Sequence, residues 1–133
     1  MESIQNVRSN VKQPESRTCE TGTRYSYNHR RLTDDDGTYW LCDQYWFPTG
    51  EYDMVRNGYL PAGVQWTAEL HKIFREYQHS RTDDLYNYAQ RMLRSTQDTR
   101  YSDYITALDQ WNAQVSALAE TFSTSVPELP ASP

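Results

Sequence analysis

The sequence reads as an α+β protein: a small antiparallel β meander, then an antiparallel helical hairpin, with extended arms at both ends. Three observations predict this. Over 101–122, Tyr101, Tyr104, Leu108, Trp111, Val115, Leu118 and Phe122 recur at steps of three and four, the period of a helix burying one seam. Over 23–47, two alternating runs flank the turn sequence Asp34-Asp35-Asp36-Gly37, the pattern of a hairpin. Residues 1–17 and 123–133 are poor in apolar side chains and contain Pro14, Pro127, Pro130 and Pro133, which reads as arms ordered only when a partner ties them down.

The predicted division is therefore an N-terminal arm over 1–17, a meander over 18–64, a helical hairpin over 65–122 and a C-terminal arm over 123–133. Thr23 to Leu32 alternates around Tyr25 and Tyr27. Thr38 to Phe47 places Trp40, Cys42 and Trp46 on one face and Tyr39, Leu41, Tyr45 and Phe47 on the other, so this strand is expected to be buried on both sides. With the turn centred near Asp35, Cys42 faces about Asn28 and is not the cross-strand partner of Cys19. Pro48-Thr49-Gly50 then turns the chain into a strand over Tyr52 to Val55, and Asn57-Gly58 turns it again into Tyr59 and Leu60.

From Trp66 the period becomes helical. Leu70, Phe74, Tyr77, Arg81, Leu85, Tyr88 and Met92 fit either one long helix over 67–93 or two helices, the second capped by Thr82 ahead of Asp83 and Asp84. The linker over 95–100 is short enough to force an antiparallel return. The last helix is about 33 Å long at 1.5 Å per residue. Thr99 or Ser102 caps its start, Asp103 suits its positive first turn, and Pro127 stops it. Its flanking positions, Ile105, Ala107, Asn112, Gln114, Ala119 and Thr121, carry no charge, which suits packing against the chain's own core.

The 133 residues suffice for one domain, with 37% hydrophobic residues, 14% aromatic ones and eleven tyrosines. Mean hydropathy is −0.93. The apolar surface is thus aromatic, and Tyr and Trp are enriched at interfaces. A net charge of −5 argues against nucleic acid or an anionic membrane as the main partner, despite the local cluster Arg24, His29, Arg30 and Arg31. The first residues lack an apolar signal-peptide core and no run reaches membrane-spanning length, so the expectation is a soluble protein made in a cytoplasm, with Cys19 and Cys42 free.

Chemistry is sparse. The acidic turn imitates half a calcium loop, but Leu32 stands at its first position. His71 and His79 lie eight apart and read as surface residues; no metal or cofactor site is predicted. Asp43 with Glu51 or Asp53 forms only a possible acid–base pair of unfixed distance, and no catalytic residues are assigned. Trp40, Tyr45, Trp46, Tyr52 and Tyr59 are candidate partner-binding aromatics; as a flat platform they would instead suit a carbohydrate-binding module.

The run Leu108-Asp109-Gln110-Trp111, then Leu118, then Ser123 to Pro127 with Pro130 and Pro133, resembles the ending of bacteriophage tail-fibre assembly and tail assembly chaperone proteins. The resemblance departs at Gln114, where that family usually has a tyrosine. It implies a non-enzymatic tail-associated structural or adaptor protein of the virion, or else a tail-fibre assembly chaperone. The implied partner is another phage structural protein in a multi-subunit assembly, met through Trp111, Pro127 and Pro130 together with the aromatics named above, with neither nucleic acid nor membrane involved.

Overall fold

A computed structural model describes all residues from Met1 to Pro133 and shows the α+β class directly, with one four-stranded antiparallel sheet and then helices. The chain divides into two compact units, Met1–Met54 with Tyr59–Val64, and Val55–Gly58 with Gln65–Pro133.

In the first unit the strands are β1 (Glu2–Ser9), β2 (Ser16–Cys19), β3 (Gly22–Asp34) and β4 (Gly37–Pro48), in spatial order β1-β4-β3-β2. The last three form a meander, of which the β3–β4 hairpin was expected and β2 was not. β1 then lies beside β4, which makes the sheet a Greek key. The predicted N-terminal arm is accordingly corrected to a pair of strands. Most residues of β1 and all of β2 are exposed, so ladder hydrogen bonds rather than buried side chains hold them, and hydrophobic pattern carries no sign of that. The turn between β3 and β4 is the acidic one, where Asp36 N–H donates to Asp34 Oδ1 at 2.9 Å.

β4 alternates without interruption, with Cys42, Asp43, Gln44, Tyr45 and Phe47 buried from both faces. One face carries an aromatic ladder: Tyr25 and Tyr27 have ring centroids 6.1 Å apart, Tyr27 and Tyr45 4.9 Å, Tyr45 and Phe47 5.9 Å, and Phe47 and Tyr52 5.6 Å. Both neighbours of β4 bulge beside its centre, between Ile4 and Val7 on β1 and between Tyr27 and Arg30 on β3. Each bulge holds a left-handed asparagine, Asn6 at φ 57° and Asn28 at φ 53°, a residue type that tolerates this region. Cys42 faces the second bulge, as the turn position implies.

The strand expected over Tyr52 to Val55 is instead a short helix, α1 (Glu51–Arg56). Gly50 at φ 91° turns the chain so that its carbonyl accepts Met54 N–H at 3.2 Å, while Glu51 and Asp53 sit at the positive end and Arg56 at the negative one.

In the second unit the long periodic stretch is two helices, α2 (Ala68–Ser80) and α3 (Asp83–Thr96). Thr67 caps α2, its hydroxyl accepting Leu70 N–H at 3.2 Å. Thr82 does not cap α3; its hydroxyl donates to the His79 carbonyl at 2.8 Å and ends α2 instead. Helix α4 (Arg100–Ala117) returns against α3 as the predicted hairpin, with Ala89, Tyr101, Tyr104 and Leu108 at the core between them. Asp98 replaces the expected caps, accepting Arg100 N–H at 3.0 Å. The helix stops at Ala117, well before Pro127, and Phe122 takes a left-handed φ of 52°.

The C-terminal arm has no regular structure, yet it is bound to its own unit. Ser123 O meets His71 Nε2 at 2.8 Å, Trp111 Nε1–H donates to Pro127 O at 2.9 Å, and Ala131 and Pro133 reach a shallow depression beside Arg100, Asp103 and Tyr104. The tail therefore runs antiparallel along α4. These contacts join the tail to its own unit, which the sequence pattern did not indicate.

His71 also departs from expectation, being fully buried on α2. Arg75 Nε–H donates to its Nδ1 at 2.9 Å, so the ring is neutral with its proton on Nε2 for Ser123. Burial, with the charge of Arg75, pushes its pKa below the usual 6.5 against the opposing effect of the Ser123 carbonyl. A depressed histidine pKa means that its contribution to stability is fully present above 6.5 and is lost as pH falls through the folded value. Hydrogen exchange is expected to show the Ser123 to Val126 amides losing protection on acidification, with His71→Gln flattening that response. An unchanged pH profile in the variant would refute this role.

Candidate partner-binding surface

The unbroken alternation of β4 divides the predicted aromatic residues between two faces. Trp40 and Trp46 share one with Cys42 and Gln44, while Tyr45 lies on the other within the tyrosine ladder, 7% exposed. Tyr52 stacks on Phe47 at the end of that ladder, and Tyr59 stands 68% exposed. The five do not form one platform. Trp111 is 2% exposed and donates to the carbonyl of Pro127, a residue that is itself exposed, and Pro130 is half-buried.

The tryptophan face gathers cations that are scattered in the sequence. Register sets Arg17 opposite Arg24 and Arg24 opposite Trp46, giving a lateral row across β2, β3 and β4. Arg31 lies opposite Trp40. The β1–β2 connection has to cross the sheet, because those strands are its two edges; on the way Lys12 Nζ comes 5.8 Å from the Trp40 ring and Gln13 Nε2 donates to Ser9 Oγ at 2.8 Å. The Arg24 guanidinium lies 5.9 Å from the Trp46 ring. Gly22 makes room for that indole, since a Cβ there would overlap the Phe47 carbonyl oxygen and stand 2.9 Å from Trp46 Cζ2.

The two faces treat charge differently. On the tyrosine face Arg8 pairs with Asp34 at 3.1 Å and Arg30 with Asp43 at 3.4 Å. Lys12, Arg17, Arg24 and Arg31 are exposed and make no ion pair. Arg17, Cys19, Thr21, Arg24 and Trp46 surround an open depression of about 370 Å³. Cys19 is exposed there; its thiol meets Thr21 Oγ1 at 3.4 Å, and that bond, aided by the backbone at Thr21 and Gly22 and by Arg24, holds its pKa below the usual thiol value. Sequence reasoning recognised Arg24 and Arg31 but missed Lys12 and Arg17, which register alone brings to them.

Asp43, a candidate acid or base in the sequence, is structural. It accepts Asn6 N–H at 3.1 Å and Asn28 Nδ2–H at 3.0 Å, besides Arg30. Burial alone would raise its pKa, but these donors outweigh that and hold it below 3.8. With the Gln5 amide oriented to satisfy its neighbours, that side chain donates to both Asp43 oxygens at 3.2 Å. A carboxylate so occupied has no lone pair to offer a substrate.

A second polar array joins α2, α3 and α4. Ser116 Oγ lies 3.2 Å from His79 Nε2, His79 Nδ1 lies 2.8 Å from Asn112 Oδ1, and Asn112 Nδ2 donates to Thr82 Oγ1 at 3.0 Å and Tyr86 Oη at 3.1 Å. Tyr86 donates in turn to Asp109 at 2.6 Å. The order imitates a nucleophile, base and orienting group. However, Ser116 lies inside α4, where neighbouring N–H groups are engaged by the helix and no donor pair is left for an oxyanion. The array fixes the α2–α3 corner.

No helix is long and apolar enough to cross a membrane. No family model, curated protein or solved structure matches the chain.

Proposed function

We propose that the chain is a non-enzymatic bacteriophage tail-associated structural or adaptor protein, which binds another tail or fibre protein within a multi-subunit assembly and remains in the virion. The observation that carries the binding role is the tryptophan face of the sheet, where four exposed cations lie beside two indoles without a carboxylate partner. Cationic and aromatic side chains of this kind, Arg and Trp above all, are the residues enriched where protein interfaces concentrate their binding energy. The tail context rests on the C-terminal resemblance. Its elements, the Trp111 helix and the proline-rich segment, support that reading by packing as one piece through the Trp111–Pro127 bond.

Immunogold labelling of particles purified from cells that make the chain tests the assignment. Label on the tail is the expected result. A chain absent from particles but bound to soluble fibre protein would make it an assembly chaperone, and a chain bound to no tail protein in either fraction would overturn the proposal.

A further inference from the structure

Two arginines face each other across the edge of the sheet. Arg17 and Arg24 are direct cross-strand partners, both exposed, and like charges so placed oppose pairing. On the tyrosine face a carboxylate accompanies the arginine, at Arg8 and at Arg30. Arg24 makes no ion pair, and its guanidinium lies 5.9 Å from the Trp46 ring. Two neighbouring guanidiniums of this kind repel each other, and an anion set between them would offset that repulsion.

The backbone beside it is also incomplete. β2 is the last strand of the sheet and pairs on one side only. In an antiparallel ladder closed at Cys19 and Gly22, alternate residues of β2, Ser16 and Thr18, turn their N–H and C=O groups away from β3, toward the open edge. All four residues of β2 are exposed. An unpaired edge of this kind is a template for another strand.

We infer that an extended acidic segment of the partner protein adds to the free edge of β2 as a fifth strand, with a carboxylate on the tryptophan side set against Arg17 and Arg24. The proposal rests on the adaptor reading and names the chemistry of its partner. A strand added at the edge lies about 4.8 Å from β2 and about twice that from β3, within reach of both guanidiniums. Two arginines held side by side bind a carboxylate by paired, charge-assisted hydrogen bonds. An acidic peptide suits the site better than a nucleic acid strand. The open edge of β2 offers ladder hydrogen bonds that a peptide backbone completes, and the chain as a whole carries a charge of −5.

Cys19 lies two residues from Arg17 on the same face and reports occupancy, with buried Cys42 as the silent control. The test adds to the full chain a capped ten-residue peptide of alternating glutamate and threonine, its glutamine–threonine counterpart, or an oligothymidylate of equal length. Alkylation of Cys19 and hydrogen exchange at Ser16 and Thr18 are followed. The glutamate peptide is expected to slow alkylation at least fivefold and protect both amides, the glutamine peptide to bind at least tenfold more weakly, and Arg17→Glu with Arg24→Glu to abolish the response. Arg17→Gln with Arg24→Gln, which adds no charge, is expected to weaken it similarly. Equal binding of the two peptides, slowed alkylation without amide protection, tighter binding of the oligonucleotide, or no binding would each overturn the inference. Should the double variant still load onto tails, the inference fails and the adaptor reading stands; should the wild-type chain associate with no tail protein, the adaptor reading itself fails.

Discussion

Asp43→Ala is expected to destabilise the chain by about 3 kcal/mol at neutral pH, measured by urea unfolding. The side chain is 8% exposed and receives hydrogen bonds from Asn6 N–H, Asn28 and Arg30. Removing it strands those donors, and each buried group left unpaired costs ~1–3 kcal/mol. The sum is discounted because Arg30 is 30% exposed and water can re-solvate it. Asp43→Asn keeps one acceptor oxygen and is expected to lose about half as much. The pH dependence has a definite sign. Because the folded pKa lies below 3.8, the carboxylate's contribution is present above that value and is lost as pH falls through the folded pKa. The wild-type chain should therefore show a steeper acid limb than Asp43→Asn. Equal losses for Ala and Asn, or a limb of undiminished slope, would mean that the two bulges are held by their backbone alone.

Trp111→Ala carries the second large effect, a loss of about 3–5 kcal/mol, the usual range for emptying a buried aromatic site. The indole is 2% exposed, with the Arg81 guanidinium 5.8 Å from its ring. Trp111→Phe separates packing from tethering, because it keeps most of the ring and removes only the N–H that donates to Pro127. It is expected to cost about 1 kcal/mol through that bond, while hydrogen exchange at Val126 and Glu128 rises well beyond what the small stability change explains. A Phe variant with a fully protected tail would show that the His71–Ser123 contact and the depression beside Tyr104 suffice to hold it.

These two positions also mark how far the sequence could be read. Seam periodicity placed seven residues on the buried side of the last helix; Tyr101, Tyr104, Leu108, Trp111 and Val115 are buried, whereas Leu118 and Phe122 lie beyond the end of α4 and Phe122 is 38% exposed. It did not reveal that Trp111 spends its polar edge on the tail, since that bond joins residues sixteen positions apart through a segment without any repeating pattern. Alternation assigned both faces of β4 correctly. It gave no role to Asp43, whose importance comes from two bulges on neighbouring strands meeting at the same height, a matter of register.

The candidate surface follows the same division. The composition announced an aromatic protein, and Trp40 and Trp46 could be put on one face by counting in twos. Lys12 and Arg17 lay in what read as an arm, because exposed edge strands and the connection between them leave no hydrophobic signature. What the sequence determined by itself were features with a local period: the β3–β4 hairpin, the faces of β4, the buried stripe of α4 and its antiparallel return against α3, while the choice between one helix and two over 67–93 stayed open until the structure showed α2 and α3. The tertiary structure alone decided the placement of β1 and β2, the bound tail and the unpaired Arg17–Arg24 row. Each of these depends on backbone pairing or on contacts distant in the chain, whose energy comes from a partner that local pattern does not contain.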